Sequence, residues 1–181
     1  MGDYVCWSAP VDDLSDWRYE GVIYRKSQHP YRIGRNILFA PDVAKGKDVK
    51  YYLYYSVADS SIISVAVCDT PAGQFVYYGD VHRADGYVLG SAEGDYFQFD
   101  PGIFVDDDGK IFLFSGFCPQ AETDKQGRIY AGCHMYELEE DMLTVYKDAL
   151  SLQKAIQKMN ELNAQKERIL EQERKRREAE E

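Results

Sequence analysis

The sequence predicts an all-β body, a partial β-propeller of about two to three four-stranded blades, followed by a C-terminal α-helix. Three observations lead there. Short aromatic and β-branched runs bounded by Gly, Pro and Asp recur through the first 146 residues, the chain overlays itself at about sixty residues, and its 25 aromatic residues all lie at or before Tyr146. Runs of that composition are strands, because branched and aromatic side chains suit a pleated, half-buried surface.

The strand runs are YYLYYS, ISVAVCD, QFVYYGD, IFLFSGF and CHMYEL. Shifted by sixty residues, Pro41-Asp42-Val43 falls on Pro101-Gly102-Ile103, and Tyr51-Tyr52-Leu53-Tyr54 falls on Ile111-Phe112-Leu113-Phe114. A turn-forming stretch precedes each run: Lys45-Gly46-Lys47-Asp48 in one copy, Asp106-Asp107-Asp108-Gly109-Lys110 in the other. Asp108-Gly109 is a hairpin signal, since Gly takes positive φ without steric cost. A second overlay, at 58 residues, sets Trp17-Arg18-Tyr19-Glu20-Gly21 on Phe75-Val76-Tyr77-Tyr78-Gly79. Two nearly equal offsets mark one repeating unit with small loop insertions. Four short strands to a unit of that length favour propeller blades over a sandwich, and a closed ring takes roughly four to eight of them. Residues 1–146 supply about two and a half, so the expected ring does not close within this chain.

From Lys147 onward the chain changes character. Residues 147–181 hold no Gly, Pro or aromatic residue and read as a charged helical tail. Leu152, Ala155, Met159, Leu162 and Ile169 follow a three-four spacing for about two heptads, short of the roughly three to four heptads that define a coiled coil. The tail therefore reads either as a helix docked on a partner or as a solvated one. Residues 151–181 carry 8 basic and 7 acidic side chains, and the body 13 and 24, so the net charge of -10 belongs to the body.

That acidity excludes a nucleic-acid partner from the expectations, because a duplex binder needs a basic footprint. No apolar run approaches the roughly 20 residues of a membrane span. The opening MGDYVCWSAP has neither the basic nor the apolar segment of a secretory signal, which gives a cytoplasmic expectation. Cys6, Cys68, Cys118 and Cys133 stand far apart and His29, His82 and His134 are scattered, so neither a zinc site nor a disulfide framework is expected. Asp106-Asp107-Asp108 lacks the Gly and Glu of an EF-hand loop and reads as a solvated hairpin tip. No metal and no cofactor is expected.

The order of motifs is more specific. Phe39-Ala40-Pro41-Asp42-Val43 is followed by Tyr51-Tyr52-Leu53-Tyr54-Tyr55-Ser56, then Ser64-Val65-Ala66-Val67 with Asp69-Thr70-Pro71-Ala72-Gly73 and Phe75. Asp100-Pro101-Gly102-Ile103-Phe104-Val105-Asp106-Asp107-Asp108-Gly109-Lys110 comes next. Over about residues 4–146 this resembles glycoside hydrolase family 43, the five-bladed β-propeller arabinofuranosidases, xylosidases and arabinanases. Leu14-Ser15-Asp16-Trp17 and the stretch from Glu137 to Val145 resemble it too.

The resemblance implies inverting hydrolysis of glycosidic bonds in arabinose- or xylose-containing glycans. Such enzymes use an Asp general base, a Glu general acid, and an Asp that orients the acid and tunes its pKa. In an inverting pair the carboxyls stand roughly 6.5–9.5 Å apart, to leave room for the attacking water. By resemblance Asp100 takes the place of the orienting Asp, and no residue here takes the place of the base or the acid. Glu122, Glu137 and Asp3 are not assigned to those roles. Read from its residues alone, Asp100 is first an Asx-type turn residue before Pro. Phe39 falls where the family often walls the sugar site, and is equally a buried strand-end ring. Asp42 is expected to hold its own turn.

The expectation is thus a truncated family 43-like hydrolase, weak or inactive alone. The alternative is a non-catalytic carbohydrate-binding or scaffold fragment that forms homo-oligomers through its C-terminal helix.

Overall fold

In chain order the strands are β1 (Tyr4–Ser8), β2 (Arg18–Tyr24), β3 (Leu38–Lys45), β4 (Tyr51–Val57), β5 (Ile63–Cys68) and β6 (Val76–Asp80). They continue as β7 (His82–Arg83), β8 (Gly102–Val105), β9 (Ile111–Phe117), β10 (Gly132–Leu138) and β11 (Thr144–Ser151), with one 3-10 turn at Lys26–Gln28. The structure is a computed structural model that describes residues 2–31, 37–151 and 174. The chain divides into two units, Met1–Ala149 and Leu150–Glu181.

Three sheets account for all of these strands. β1 and β2 form a two-stranded sheet, β3-β4-β5-β6 a four-stranded one, and β7-β11-β10-β9-β8 a five-stranded one. The second is an antiparallel meander in sequence order, as a blade should be. The third repeats it with β8 to β11 and gains an extra edge strand. β7 lies parallel to β11, with Thr144 opposite His82 and Val145 opposite Arg83. The fifth strand departs from the four expected. It comes from the link that leaves β6, so the connection between blades itself covers an otherwise open sheet edge.

The sixty-residue offset is literal in the structure. β4 and β9 begin and end sixty residues apart. The hairpins before them match as well. Gly46 N–H donates to Lys50 O and Val49 N–H to Gly46 O, as Asp106 N–H donates to Lys110 O and Gly109 N–H to Asp106 O. Asp106 Oδ1 also accepts the Lys110 amide at 2.8 Å, which confirms the hairpin tip.

β4 shows why these strands stack as blades. Along YYLYYSV, Tyr52 and Tyr54 enter one core with Ile63, Val65, Ile111, Leu113 and Met142. Leu53 and Tyr55 enter a second core with Tyr24, Ala66 and Phe75. Alternate residues of a strand face opposite sides of its sheet, so the β3–β6 sheet is buried on both faces, against β8–β11 on one and β1–β2 on the other. Each fully buried aliphatic side chain there contributes about 1.5–3 kcal/mol. β1–β2 is covered on one face only, and Trp7, Trp17 and Tyr19 are exposed.

β11 runs to Ser151, past the change of composition at Lys147. Helix propensities differ by at most about 0.7 kcal/mol for ordinary residues, and tertiary context routinely overrides them. The expected tail helix lies outside the described residues except at Arg174, which is helical and exposed. The heptad seam also lies outside them.

Candidate functional site

The site grows from the starts of the two innermost strands. The sixty-residue offset pairs Phe39 with Phe99, Ala40 with Asp100 and Pro41 with Pro101. Both middle residues adopt the left-handed conformation, Ala40 at φ 45° and Asp100 at φ 47°. Each precedes a proline, where helical backbone is disfavoured, and neither is glycine. Two blades therefore hold the same strained corner. The rings that precede these corners lie side by side, with Phe39 and Phe99 centroids 5.8 Å apart.

Neighbouring blades hold both corners in place. Tyr4 OH donates to Phe39 O at 2.9 Å. Asp100 N–H donates to the Oγ of Ser56 at 3.1 Å, and Ser56 is fully buried on β4. Asp42 Oδ2 accepts Ile103 N–H at 2.7 Å, while its Oδ1 accepts the neighbouring Val43 amide. Asp42 lies within β3 rather than in the turn expected for it, and it ties β3 to β8.

These starts open onto a cleft of about 600 Å³. Phe39, Phe97, Phe99, Phe117 and Tyr130 wall it. Phe99 lies 5.4 Å from Phe117, and Phe97 lies 4.9 Å from Tyr130, centroid to centroid. Such rings give the cleft flat apolar walls. The far wall comes from the β9–β10 connection. That loop spans 118–131, while its counterpart between β4 and β5 spans only 58–62. The added length carries Asp124 and Arg128 into the cleft wall.

Arg128 is held in place. Its guanidinium forms an ion pair with Asp124, its Nε donates to Asp124 Oδ2 at 2.7 Å, and it lies over the Phe97 ring. Burial by itself would raise the Asp124 carboxyl. The Arg128 bond and the amides of Arg128 and Gln126 outweigh that and hold it below the usual carboxylate range.

Both sequence candidates fall in this region, with different standing. Phe39 is half-buried and lines the cleft. Asp100 is exposed at the corner next to Phe99, beside the cleft rather than among the residues that line it. Glu122 is exposed and accepts the Tyr130 amide through its carbonyl. Sequence reasoning missed Asp59, an exposed carboxylate of the cleft at φ 63°. It also missed Asp124, Arg128 and the rings of Phe97, Phe117 and Tyr130. For Asp124, Arg128 and Tyr130 the one signal was the length of the 118–131 connection. Among the described residues no cluster of His, Cys, Asp and Glu is placed to hold a metal.

The sequence profile of glycosyl hydrolases family 43 matches residues 3–166. This chain belongs to glycosyl hydrolase family 43. The match continues past Tyr146, where the change of composition had placed the end of the resemblance. A xylosidase/arabinosidase of Thermoclostridium stercorarium is 50% identical over 149 residues, 82% of this chain and 30% of that protein. Xylosidase/arabinosidase 43A of Humicola insolens is 35% identical over 120 residues, 64% of this chain and 32% of that protein. Among solved structures, a family 43 β-xylosidase/α-arabinofuranosidase from a compost metagenome, CoXyl43, superposes with a TM-score of 0.62 at 28% identity. That match covers 83% of this chain and 48% of that one. The RS223 β-xylosidase superposes equally well at 25% identity, covering 84% and 48%. This family 43 chain thus spans about a third of the length of these curated relatives and just under half of these structures.

Proposed function

We propose that this chain supplies part of the active centre of an inverting glycoside hydrolase acting on xylose- or arabinose-containing glycans. The observation that carries the reading is the pairing of Phe39 and Phe99 at 5.8 Å beside Asp100, at the mouth of an aromatic cleft. In the reaction a base removes a proton from water, the water oxygen attacks the anomeric carbon, and the leaving oxygen takes a proton from the acid on the opposite face. Asp100 would act on that acid, its charge keeping the neighbouring carboxyl protonated near neutral pH. In this reading the rings align the sugar and Ser56 fixes the backbone that aims Asp100.

The proposal assigns neither the base nor the acid to a described residue, so the 181-residue chain alone is expected to be weak or inactive. The test is release of p-nitrophenol from the β-D-xylopyranoside and α-L-arabinofuranoside. The expected result is no release above background. Turnover that disappears in Asp100→Asn would overturn the inactive reading and require the other two carboxylates to be present.

A second reading, a non-catalytic carbohydrate-binding or scaffold fragment, is favoured by the exposed Trp7 and Tyr19 of β1 and β2, whose ring centroids lie 5.0 Å apart. An apolar patch of that kind marks an interaction surface. Sedimentation across a range of concentrations tests it, since self-association, through this patch or the tail, would appear as a concentration-dependent mass.

A further inference from the structure

The extended segment that brings Phe97 and Phe99 to the aromatic cleft places Tyr96 and Gln98 in a second cavity, of about 220 Å³. We propose that this second cavity binds one sugar unit, separately from the Asp100 cleft and with no part in hydrolysis.

The hydrogen bonding of Gln98 comes first. The residue is 2% exposed, and its Nε2 donates to Tyr96 O at 2.9 Å and to the Tyr136 hydroxyl at 2.7 Å. A carbonyl only accepts, so the nitrogen must face Tyr96 O and the orientation of the amide is set. Its Oε1 is then left buried with no partner among the described residues. An unmatched buried acceptor costs about 1–3 kcal/mol, and a ligand or water that donates to it removes that cost.

The Tyr136 hydroxyl accepts the Gln98 bond, so its own proton remains to be given. Burial pushes this phenol up to about 12, so it stays protonated at neutral pH. The cavity therefore presents an acceptor and a donor side by side. A hydroxyl satisfies both at once. Arg83 also lines the cavity, its guanidinium lying over the Tyr87 ring, yet an anion would still face Gln98 Oε1 and the Asp95 carboxylate, and a bare cation has no lone pair for the Tyr136 proton.

The remaining walls favour a polyhydroxylated ligand with an apolar face. Asp95 uses Oδ2 for the Tyr87 hydroxyl and the Ala92 amide, which leaves Oδ1 to accept a further hydroxyl. The Tyr96 ring is backed by His134, stacked at 4.1 Å and 24°, and is 42% exposed. It is a fixed plate against which sugar C–H groups can lie. Gly90, at φ 77°, keeps the wall thin. A Cβ there would sit 1.9 Å from Ser61 O and 3.0 Å from Gln98 Cγ. The volume is many times the ~10–15 Å³ that one water needs and below the ~300 Å³ at which drug-sized pockets begin. That is room for one sugar ring.

The test is an NMR titration of the ¹⁵N-labelled 181-residue chain with D-xylose, L-arabinose and xylotriose. The side-chain amide of Gln98 and the backbone amides of Tyr96, Gln98 and Tyr136 are followed. Saturable shifts at these groups are expected, weakened roughly 3- to 10-fold by Tyr136→Phe, lost in Tyr96→Leu, and unchanged by Asp100→Asn. Tyr96 is exposed, so its variant keeps the test open even if Tyr136→Phe fails to fold. Shifts with xylotriose but not the monosaccharides assign the site to a glycan chain, and shifts with a monosaccharide assign it to the free sugar. Absence of saturable shifts with all three, leaving ordered water as the sole occupant, overturns the proposal. So does an affinity indifferent to Tyr96→Leu. Neither result bears on the Asp100 cleft, which is read by hydrolysis and by its own rings.

Discussion

The carboxylate of Asp42 accepts the backbone N–H of Ile103 at 2.7 Å, a bond between the inner strands of two adjacent blades. It holds the starts of β3 and β8 at a fixed separation, and with them the corners that carry Phe39 and Asp100. Asp42→Ala removes the acceptor and leaves a half-buried amide without its charged partner, at an expected cost of about 1–3 kcal/mol. Asp42→Asn keeps an acceptor oxygen and should recover most of that loss. Urea unfolding of the two variants and the parent measures both quantities.

Val49 occupies the left-handed position of its hairpin at φ 72°, where the repeat places Gly109 at φ 77°. A β-branched residue is costly in that conformation. Val49 is 60% exposed, so little packing is lost with its side chain. Val49→Gly is expected to stabilise the chain by about 0.5–1 kcal/mol despite the added freedom of glycine in the unfolded state. The check is a rise in Tm. The reverse change, Gly109→Val, should lower it, since it places a β-branched residue at φ 77°.

Stability should fall in two steps as the solution is acidified. Burial holds His29 and His134 below the ordinary imidazole value, so each contributes stability above the unfolded pKa of about 6.5 that is lost as pH falls from there through the folded value. Asp141 behaves similarly in a lower window. Burial would raise it, but bonds from the Thr144 hydroxyl and from the amides of Thr144 and Leu143 hold it below the usual carboxylate range. Its contribution is complete above about pH 4 and lost as pH falls through the folded value. Asp141→Asn should cost about 0.5–1.5 kcal/mol at pH 7, reduced by solvent at this exposed turn, and should flatten the lower step while leaving the histidine step. Denaturant midpoints measured from pH 3 to 8 resolve the two.

What the sequence revealed of this fold was what neighbouring residues decide. The runs YYLYYS and IFLFSGF, the Asp108-Gly109 tip and the sixty-residue echo are local patterns, and each became the strand or turn expected. β7 was not legible, because a two-residue strand has no pattern of its own and is defined by its partner β11. The end of β11 was misplaced for the same reason: residues 147–151 have helical composition but extend a strand. At the site, Phe39 and Asp100 were visible through their place in a motif. Asp59, Asp124 and Arg128 were not, because they reach the cleft from the β4–β5 and β9–β10 loops, and only the fold brings those loops together. Asp42 was read as a turn residue, and its bond to Ile103, sixty-one positions away, leaves no mark on the local sequence.

The central claim is that the inner-strand starts of two adjacent blades form one sugar-binding cleft walled by Phe39 and Phe99. The most direct measurement is a titration of the chain, with its phenylalanine rings ¹³C-labelled, against xylotriose. The account predicts saturable shifts of the Phe39, Phe99 and Phe117 ring resonances, abolished by Phe99→Ala in a chain that still folds. Ring resonances that stay in place while sugar binds elsewhere, or that move equally in Phe99→Ala, would contradict it.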